Sequence, residues 1–324
     1  MRAVRADRFG APEVLGLTEV PEPEPSAGQV KIAVRSASVI YGDVIVRSGR
    51  YPRPLPWIPG IEVAGEVVRI GPEVDESLLG ATVVATTAGQ SGGYAEYAVA
   101  PAAYTFAVPG GLAMDTALAV FQAGAVARGL LSAMGVRAGE TVLVTAAAGR
   151  IGSVLVQSAR AAGNTVIGAV SSEKVSAAAD FGAHAVVDYT VADWPESVRE
   201  VTGGRGVDVV LDAVGGVVGE AALTVAADGG GRIGLYGFAS GAWPQLDALT
   251  LGTRGLTVSG PLGIVFRKSD AEQRDDAEWA LAAAGRGELR PRIHARHPLE
   301  RAADAHRELE ERRNVGAIVL SVGP

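Results

Sequence analysis

The sequence predicts an α/β protein in which a doubly wound parallel sheet is accompanied by a second, β-rich lobe. Three observations point there. The chain has 324 residues, and at roughly 100–200 residues per domain that length suggests about two domains. From about Ala119 onward, apolar runs of strand length alternate with Ala-rich stretches of helical length, the βαβ pattern of a parallel sheet. Before that point the texture is one of strands and turns. The early prolines gather in Pro21 to Pro25 and Pro52 to Pro59, beside β-branched runs such as Val30 to Val34 and Glu62 to Ile70.

The alternation is legible element by element. Thr141 to Thr145 reads as a buried strand, Ile151 to Ala162 as a helix, Thr165 to Val170 as a strand and Lys174 to Phe181 as a helix. Ala185 to Val187, Val207 to Leu211, Arg232 to Tyr236 and Leu256 to Ser259 read as further strands, about six in one sheet. After Gly260 come two helical stretches, Asp270 to Ala284 and Pro298 to Glu311, and a closing strand, Ala317 to Val322. A final strand needs a sheet to join, and the N-terminal lobe supplies one. No internal repeat and no low-complexity linker interrupts the chain.

Composition narrows the function. Hydrophobic residues make up 48% and charged residues 20%, which is globular and excludes disorder, collagen and coiled coil. A formal charge of −7 leaves no basic excess to release counterions, so no nucleic-acid partner is expected. Cysteine is absent, which excludes disulfides, iron–sulfur clusters, thiol nucleophiles and Cys-ligated zinc. Redox chemistry therefore needs a borrowed cofactor. Met1 to Gly10 carries Arg2, Arg5, Asp7 and Arg8 with no apolar core behind it, unlike a signal peptide. No uninterrupted apolar run approaches the roughly 18 residues of a membrane span. The expectation is a cytoplasmic protein that does not associate with membranes.

The strongest motif is Ala147-x-Gly149-x-x-Gly152, directly after the strand Thr141 to Thr145 and opening the next helix. In the Rossmann dinucleotide fingerprint the first small residue permits a tight turn, the second lets backbone approach a pyrophosphate, and the third lets helix and strand pack closely. The helix N-terminus offers unpaired N–H groups and partial positive charge to the phosphates. Ala147, Gly149, Arg150, Ile151 and Gly152 are thus the expected phosphate-binding residues, with Arg150 able either to add a charge-assisted bond or to point into solvent. At the end of the following strand, Ser171 and Ser172 can donate to a 2′-phosphate and Lys174 can balance its charge, which favours NADPH over NADH. Glu173, one residue from that lysine, argues in the other direction.

These residues belong to a longer pattern. Phe9 to Leu15, Arg47 to Pro52, Pro59 to Gly65 and Gly93 to Tyr97 form its first half; Ala146 to Gly152, Thr202 to Val210, Arg232 to Gly241 and Pro298 to Glu300 with Ala305-His306 form the rest. In order and over essentially the whole chain, they resemble the zinc-independent medium-chain dehydrogenases/reductases of the quinone oxidoreductase group, the NADPH:quinone reductases. The resemblance implies a GroES-like β-rich catalytic domain built from residues 1–118 and 263–324, an alcohol dehydrogenase-like arrangement around a Rossmann NADP-binding domain at 119–262, a cofactor in the cleft, and a homodimer.

Zinc-dependent relatives carry Gly-His-Glu where this chain has Gly60-Ile61-Glu62, and isoleucine cannot ligate a metal. No metal is expected, and His184, His294, His297 and His306 read as surface or satisfied side chains. The resemblance further places Lys174, Ser171 and Tyr189 at the adenosine end of the cofactor, and Gly215, Gly237 and Phe238 beside its nicotinamide half. Two positions depart from it. Ile40 stands where relatives often have Asn and Val126 where they have Thr, so the substrate pocket loses two hydrogen-bonding side chains: either backbone groups hold the carboxamide alone, or the pocket is retuned.

The chemistry implied is NADPH-dependent hydride transfer to a quinone or an α,β-unsaturated carbonyl without metal. Tyr51 matches a tyrosine that serves as proton donor in related enoyl reductases, and a phenol both polarises a carbonyl and acts as an acid. A tyrosine merely packing beside Pro52 is the alternative. Tyr41 is a second candidate, and Asp43 reads as structural. Two other functions stay open: an enoyl reductase or tailoring enzyme of a biosynthetic pathway, and a non-redox NADPH-binding sensor or scaffold, the latter motivated by Ile40 and Val126.

Overall fold

The computed structural model describes residues 1–323, which divide into two compact units, one made of residues 1–122 with the chain from 277 onward and one of residues 123–276. The first unit opens with an antiparallel pair, β1 (Arg2–Ala6) and β2 (Leu15–Glu19). It continues through β3 (Gln29–Val39), α1 (Tyr41–Arg47), β4 (Glu62–Ile70), β5 (Thr82–Thr86), β6 (Tyr97–Pro101) and β7 (Thr105–Ala107). Helix α2 (Met114–Ala133) runs into the second unit. There the order is β8 (Thr141–Thr145), α3 (Arg150–Ala161), β9 (Thr165–Val170), α4 (Val175–Asp180), β10 (Ala185–Asp188), α5 (Trp194–Val201), β11 (Val209–Asp212) and α6 (Gly216–Thr224). It ends with β12 (Arg232–Leu235), α7 (Ala248–Arg254), β13 (Thr257–Ser259) and α8 (Pro261–Val265). Helix α9 (Asp270–Gly285) returns the chain to the first unit, which β14 (Ile293–Pro298), α10 (Ala302–Glu310) and β15 (Ala317–Ser321) complete.

The second unit is the parallel sheet its apolar runs demand. Six strands lie in the order β10-β9-β8-β11-β12-β13, every neighbouring pair parallel. Val142, Leu143 and Val144 are successive and all fully buried. Side chains alternate faces along a strand, so both faces of β8 are covered, and such strands read as continuous apolar runs rather than alternations. The order reverses at β8, whose successor β9 lies on one side while β11 lies on the other. Ligands of open α/β sheets bind outside the carboxyl ends of the strands at such a reversal.

In the first unit β14-β15-β3-β4-β5-β7 form a seven-stranded sheet with β6, which also pairs with β3. The closing strand joins it as expected: β15 runs antiparallel to β3, with Ile318 opposite Val39 and Leu320 opposite Ala37. Ile32, Val63, Tyr94 and Ile318 are buried in its core. Strand β14 carries no signal in the sequence, because its residues IHARHP neither alternate in polarity nor become fully buried at this sheet edge. The stretch Pro298 to Glu311 is likewise not one helix: backbone at Pro298 is extended, a short 3-10 turn covers Leu299–Arg301, and α10 starts at Ala302. Helix α2 is long and apolar enough by length and composition to cross a membrane, but 67% of its most apolar window is buried inside the protein, as in a core helix.

Candidate active site

The phosphate-type turn sits where the strand order reverses. After β8, Ala146 takes a positive φ of 50°, and the Gly149 N–H donates to the Ala146 carbonyl at 2.8 Å, closing the turn. Gly149 then caps α3 in extended conformation, and its carbonyl accepts the Ser153 N–H at 2.9 Å. A Cβ on Gly152 would lie 2.1 Å from the Ala146 oxygen, so the first turn of α3 passes this loop at a separation that no side chain permits. A Cβ on Gly149 would meet the same oxygen at 3.1 Å. Arg150, Ile151 and Gly152 occupy the first turn, whose N–H groups have no intrahelical acceptor. Ala147 is fully buried beneath them and Arg150 is half-buried. This cradle of backbone donors fits a pyrophosphate.

The neighbouring strand ends bring the remaining predicted residues of this unit to the same sheet edge. Ser171 follows β9 directly, and a 3-10 turn spans Ser172–Lys174, so Lys174 precedes α4 rather than opening it. Tyr189 follows β10, and its N–H donates to the Val170 carbonyl at 2.9 Å, which binds the ends of β9 and β10 together. The serines, expected to face a phosphate, are engaged with carboxylates: Ser171 Oγ donates to Glu173 Oε1 at 2.6 Å, and Ser172 Oγ donates to Asp188 Oδ2. Those hydroxyls hold both carboxyls below the usual carboxylate range.

On the other side of the reversal, Gly215 caps α6 with φ 68°. A Cβ there would lie 2.3 Å from the Ala242 carbonyl oxygen and 3.4 Å from Phe238 Cα. Gly237 presses on Ala213 in the same way, with 2.8 Å from a Cβ to the Ala213 oxygen. The turns after β11 and β12 therefore touch, and Phe238 packs on Trp243 with centroids 4.8 Å apart. Sequence reasoning missed the residue that builds the first of these turns. Fully buried Asp212 accepts from Thr145 Oγ1 at 2.6 Å and from the N–H groups of Val214 and Gly215, both at 3.0 Å. Burial pushes its carboxyl up, against the pull of those donors. The available signal was a carboxylate at the end of the apolar run Val209 to Leu211. A pocket of about 510 Å³ between Arg199, Arg205, Asp208 and Arg254 lies at the opposite, amino edge of this sheet, away from the turn.

In the first unit, Ile40 caps α1 and Tyr41 is its first residue. Arg50 donates to Tyr41 Oη at 3.4 Å and stands 5.7 Å from the ring centroid. Tyr51 lies on the same segment, 65% exposed. A Cβ on Gly42 would meet Ile40 Cδ1 at 3.4 Å and Ile61 Cδ1 at 3.9 Å, so two isoleucines close around this turn and neither offers a metal ligand. Among the described residues no group of three or more His, Asp or Glu side chains is placed to hold a metal ion. Behind Tyr41 runs a buried polar chain that the sequence did not reveal. Asp43 accepts the Gly60 N–H at 3.1 Å, Tyr94 Oη reaches Asp43 Oδ2 at 3.5 Å, and Tyr94 Oη bonds His306 Nε2 at 3.1 Å. Arg47, also buried, pairs with Glu310. Burial, seconded by the Arg47 charge, lowers the His306 imidazole to about 3. Val126 lies in the other unit, on α2, and is buried.

A doubly wound sheet with this turn at its reversal point, joined to a β-rich unit made from both chain ends, defines the medium-chain dehydrogenases/reductases. Family models agree: residues 26–110 match the alcohol dehydrogenase GroES-like domain and residues 181–320 the zinc-binding dehydrogenase family. The chain is 34% identical to a quinone oxidoreductase of Pseudomonas aeruginosa over 316 residues, 96% of this chain and 97% of the relative. It is 33% identical to a 2-haloacrylate reductase of a Burkholderia species, covering 96% of each. The crystal structure of Escherichia coli quinone oxidoreductase complexed with NADPH superposes with a TM-score of 0.92 at 28% identity, over 99% of this chain and 100% of the other. The chain belongs to the quinone oxidoreductase family of medium-chain dehydrogenases/reductases.

Proposed function

We propose that the protein is an NADPH-dependent reductase acting on a quinone or an α,β-unsaturated carbonyl without a metal. The observation that carries this reading is the β8–α3 turn, where Gly152 and Gly149 bring helix N–H groups to the carboxyl edge of the sheet at its reversal point. When bound, the dinucleotide supplies a hydride. Ala147, Gly149, Arg150, Ile151 and Gly152 would hold its pyrophosphate, Ser171, Ser172 and Lys174 the adenosine phosphate, and Tyr189 the same end. Gly215, Gly237 and Phe238 would border its nicotinamide half, because their turns share the edge on which the phosphate cradle opens. Ile40 and Val126 would each present apolar surface, in its own unit, to the acceptor. Tyr51 would deliver the proton that a reduced enone requires, and Tyr41, bonded by Arg50, is the second donor. The names of the relatives support both acceptor classes: one is a quinone oxidoreductase, and the other reduces a 2-haloacrylate, a conjugated acid.

The test is spectrophotometric. NADPH and NADH oxidation by the purified protein is followed against a panel of quinones and enones. Acceptor-dependent oxidation of NADPH is the expected result; binding of NADPH with no acceptor reduced would instead assign a non-redox role. A homodimer in the cytoplasm belongs to the same proposal, and a monomer in sedimentation at working concentration would remove the dimer.

A further inference from the structure

We propose that Glu173 sets this chain's choice between the two nicotinamide dinucleotides, keeping the site open to NADH by competing with the 2′-phosphate of NADPH for the Ser171 hydroxyl. The inference rests on the dinucleotide reading above and concerns the end of β9. A serine hydroxyl has one proton to give, and Ser171 gives it to Glu173 Oε1 at 2.6 Å. Ser172 is committed in the same way to Asp188, which also accepts from Thr190 N–H at 2.8 Å and Thr190 Oγ1 at 2.6 Å. The two carboxylates repel each other, and the Lys174 ammonium acts on Glu173 with the opposite sign. Two negative charges thus face one positive charge where a phosphate dianion would have to enter.

The two carboxylates are not equivalent. Asp188 is fixed by three donors from two residues, whereas Glu173 is exposed and its side chain is held by the Ser171 hydroxyl and its own backbone N–H. Glu173 is therefore the group that must turn away for Ser171 to donate to a phosphate. A ribose 2′-hydroxyl makes no such demand. It is itself a donor, and an acceptor-only carboxylate suits it.

Calorimetric titration of the full chain with 2′,5′-ADP and with 5′-AMP separates the phosphate from the rest of the nucleotide. For E173Q, the affinity for 2′,5′-ADP rises about fivefold, the size of one exposed charge interaction, while 5′-AMP changes less than twofold. The ratio of kcat/KM for NADPH over NADH rises by the same factor. A ratio of affinities that stays within twofold in E173Q, with both nucleotides binding, overturns the role of Glu173 and leaves the dinucleotide reading standing. Failure of the parent chain to bind either nucleotide overturns both.

Discussion

The Asp43 carboxylate accepts the Gly60 N–H at 3.1 Å, tying the first turn of α1 to the loop that leads into β4. Among the described residues nothing cationic pairs with it. Glu62, Tyr94 and the neutral His306 are its titratable surroundings, and burial pushes the carboxyl up to about 7. In the unfolded chain an aspartate titrates near 3.9 (roughly). Between those values the folded state holds a proton that the unfolded state has released. Stability from this group is therefore present in acid and is lost as pH rises through the window, by about 1.4 kcal/mol per pH unit. Asp43→Asn removes the titration and keeps an acceptor for Gly60. The expected outcome is that the melting temperature of D43N gains on the parent between pH 5 and pH 8. A difference independent of pH in that range would show that Asp43 ionises as an ordinary carboxylate.

Gly149 and Gly152 serve the same turn for different reasons, and alanine separates them. At Gly149 φ is −76° and the added methyl meets only the Ala146 oxygen, at a tight 3.1 Å, so G149A is expected to lose much less stability than G152A. Gly149 nevertheless caps the helix whose first N–H groups would receive the phosphates, and NADPH affinity is expected to fall at least tenfold, about 1.4 kcal/mol. At Gly152 the methyl overlaps the Ala146 oxygen at 2.1 Å, and G152A is expected to lose about 1–3 kcal/mol of stability through forced backbone shifts. Thermal melts beside calorimetric NADPH titrations read both. Equal behaviour of the two variants would contradict the division.

Asp212 holds three donors in a site without solvent: Thr145 Oγ1 and the N–H groups of Val214 and Gly215. Alanine strands all three, at about 1–3 kcal/mol for each buried group left unsatisfied. The D212A protein is expected to melt several degrees lower and to bind NADPH more weakly, because the turn carrying Gly215 loses its brace. D212N, which retains one acceptor oxygen, is expected to fall between D212A and the parent. A D212A variant that melts with the parent would remove the bracing role.

The second unit was legible because its signals are local. Buried parallel strands are continuous apolar runs, and Thr141–Thr145 and Thr165–Val170 coincide with β8 and β9. The turn between strand and helix declares itself through glycines whose spacing is set by steric contact. What stayed hidden depends on long-range pairing. Asp43, Tyr94 and His306 lie on three segments separated by 51 and 212 residues, and no local pattern distinguishes a carboxylate that will be buried there from one in solvent. Strand β14 exists because β15 offers it an edge. The pairing of Ser171 and Ser172 with Glu173 and Asp188 turns on rotamers, which spacing alone does not fix.

A Tyr51 variant separates the two proposed acceptor classes. Hydride addition to a conjugated carbonyl leaves an enolate whose carbon must be protonated, a step in which a positioned acid contributes about 10²–10⁴-fold. A reduced quinone carries its negative charge on oxygens that water protonates readily. Tyr51→Phe keeps the ring and removes only the hydroxyl, and at 65% exposure that loss leaves no buried group unpaired. If Tyr51 is the donor, Y51F loses enone turnover at least tenfold while quinone turnover changes less than twofold, with NADPH affinity unaltered. Uniform loss on both acceptors would point to a role in binding. Retention of both activities would make Tyr51 a surface residue and pass the donor role to Tyr41, whose replacement by phenylalanine should then reproduce the enone-specific loss.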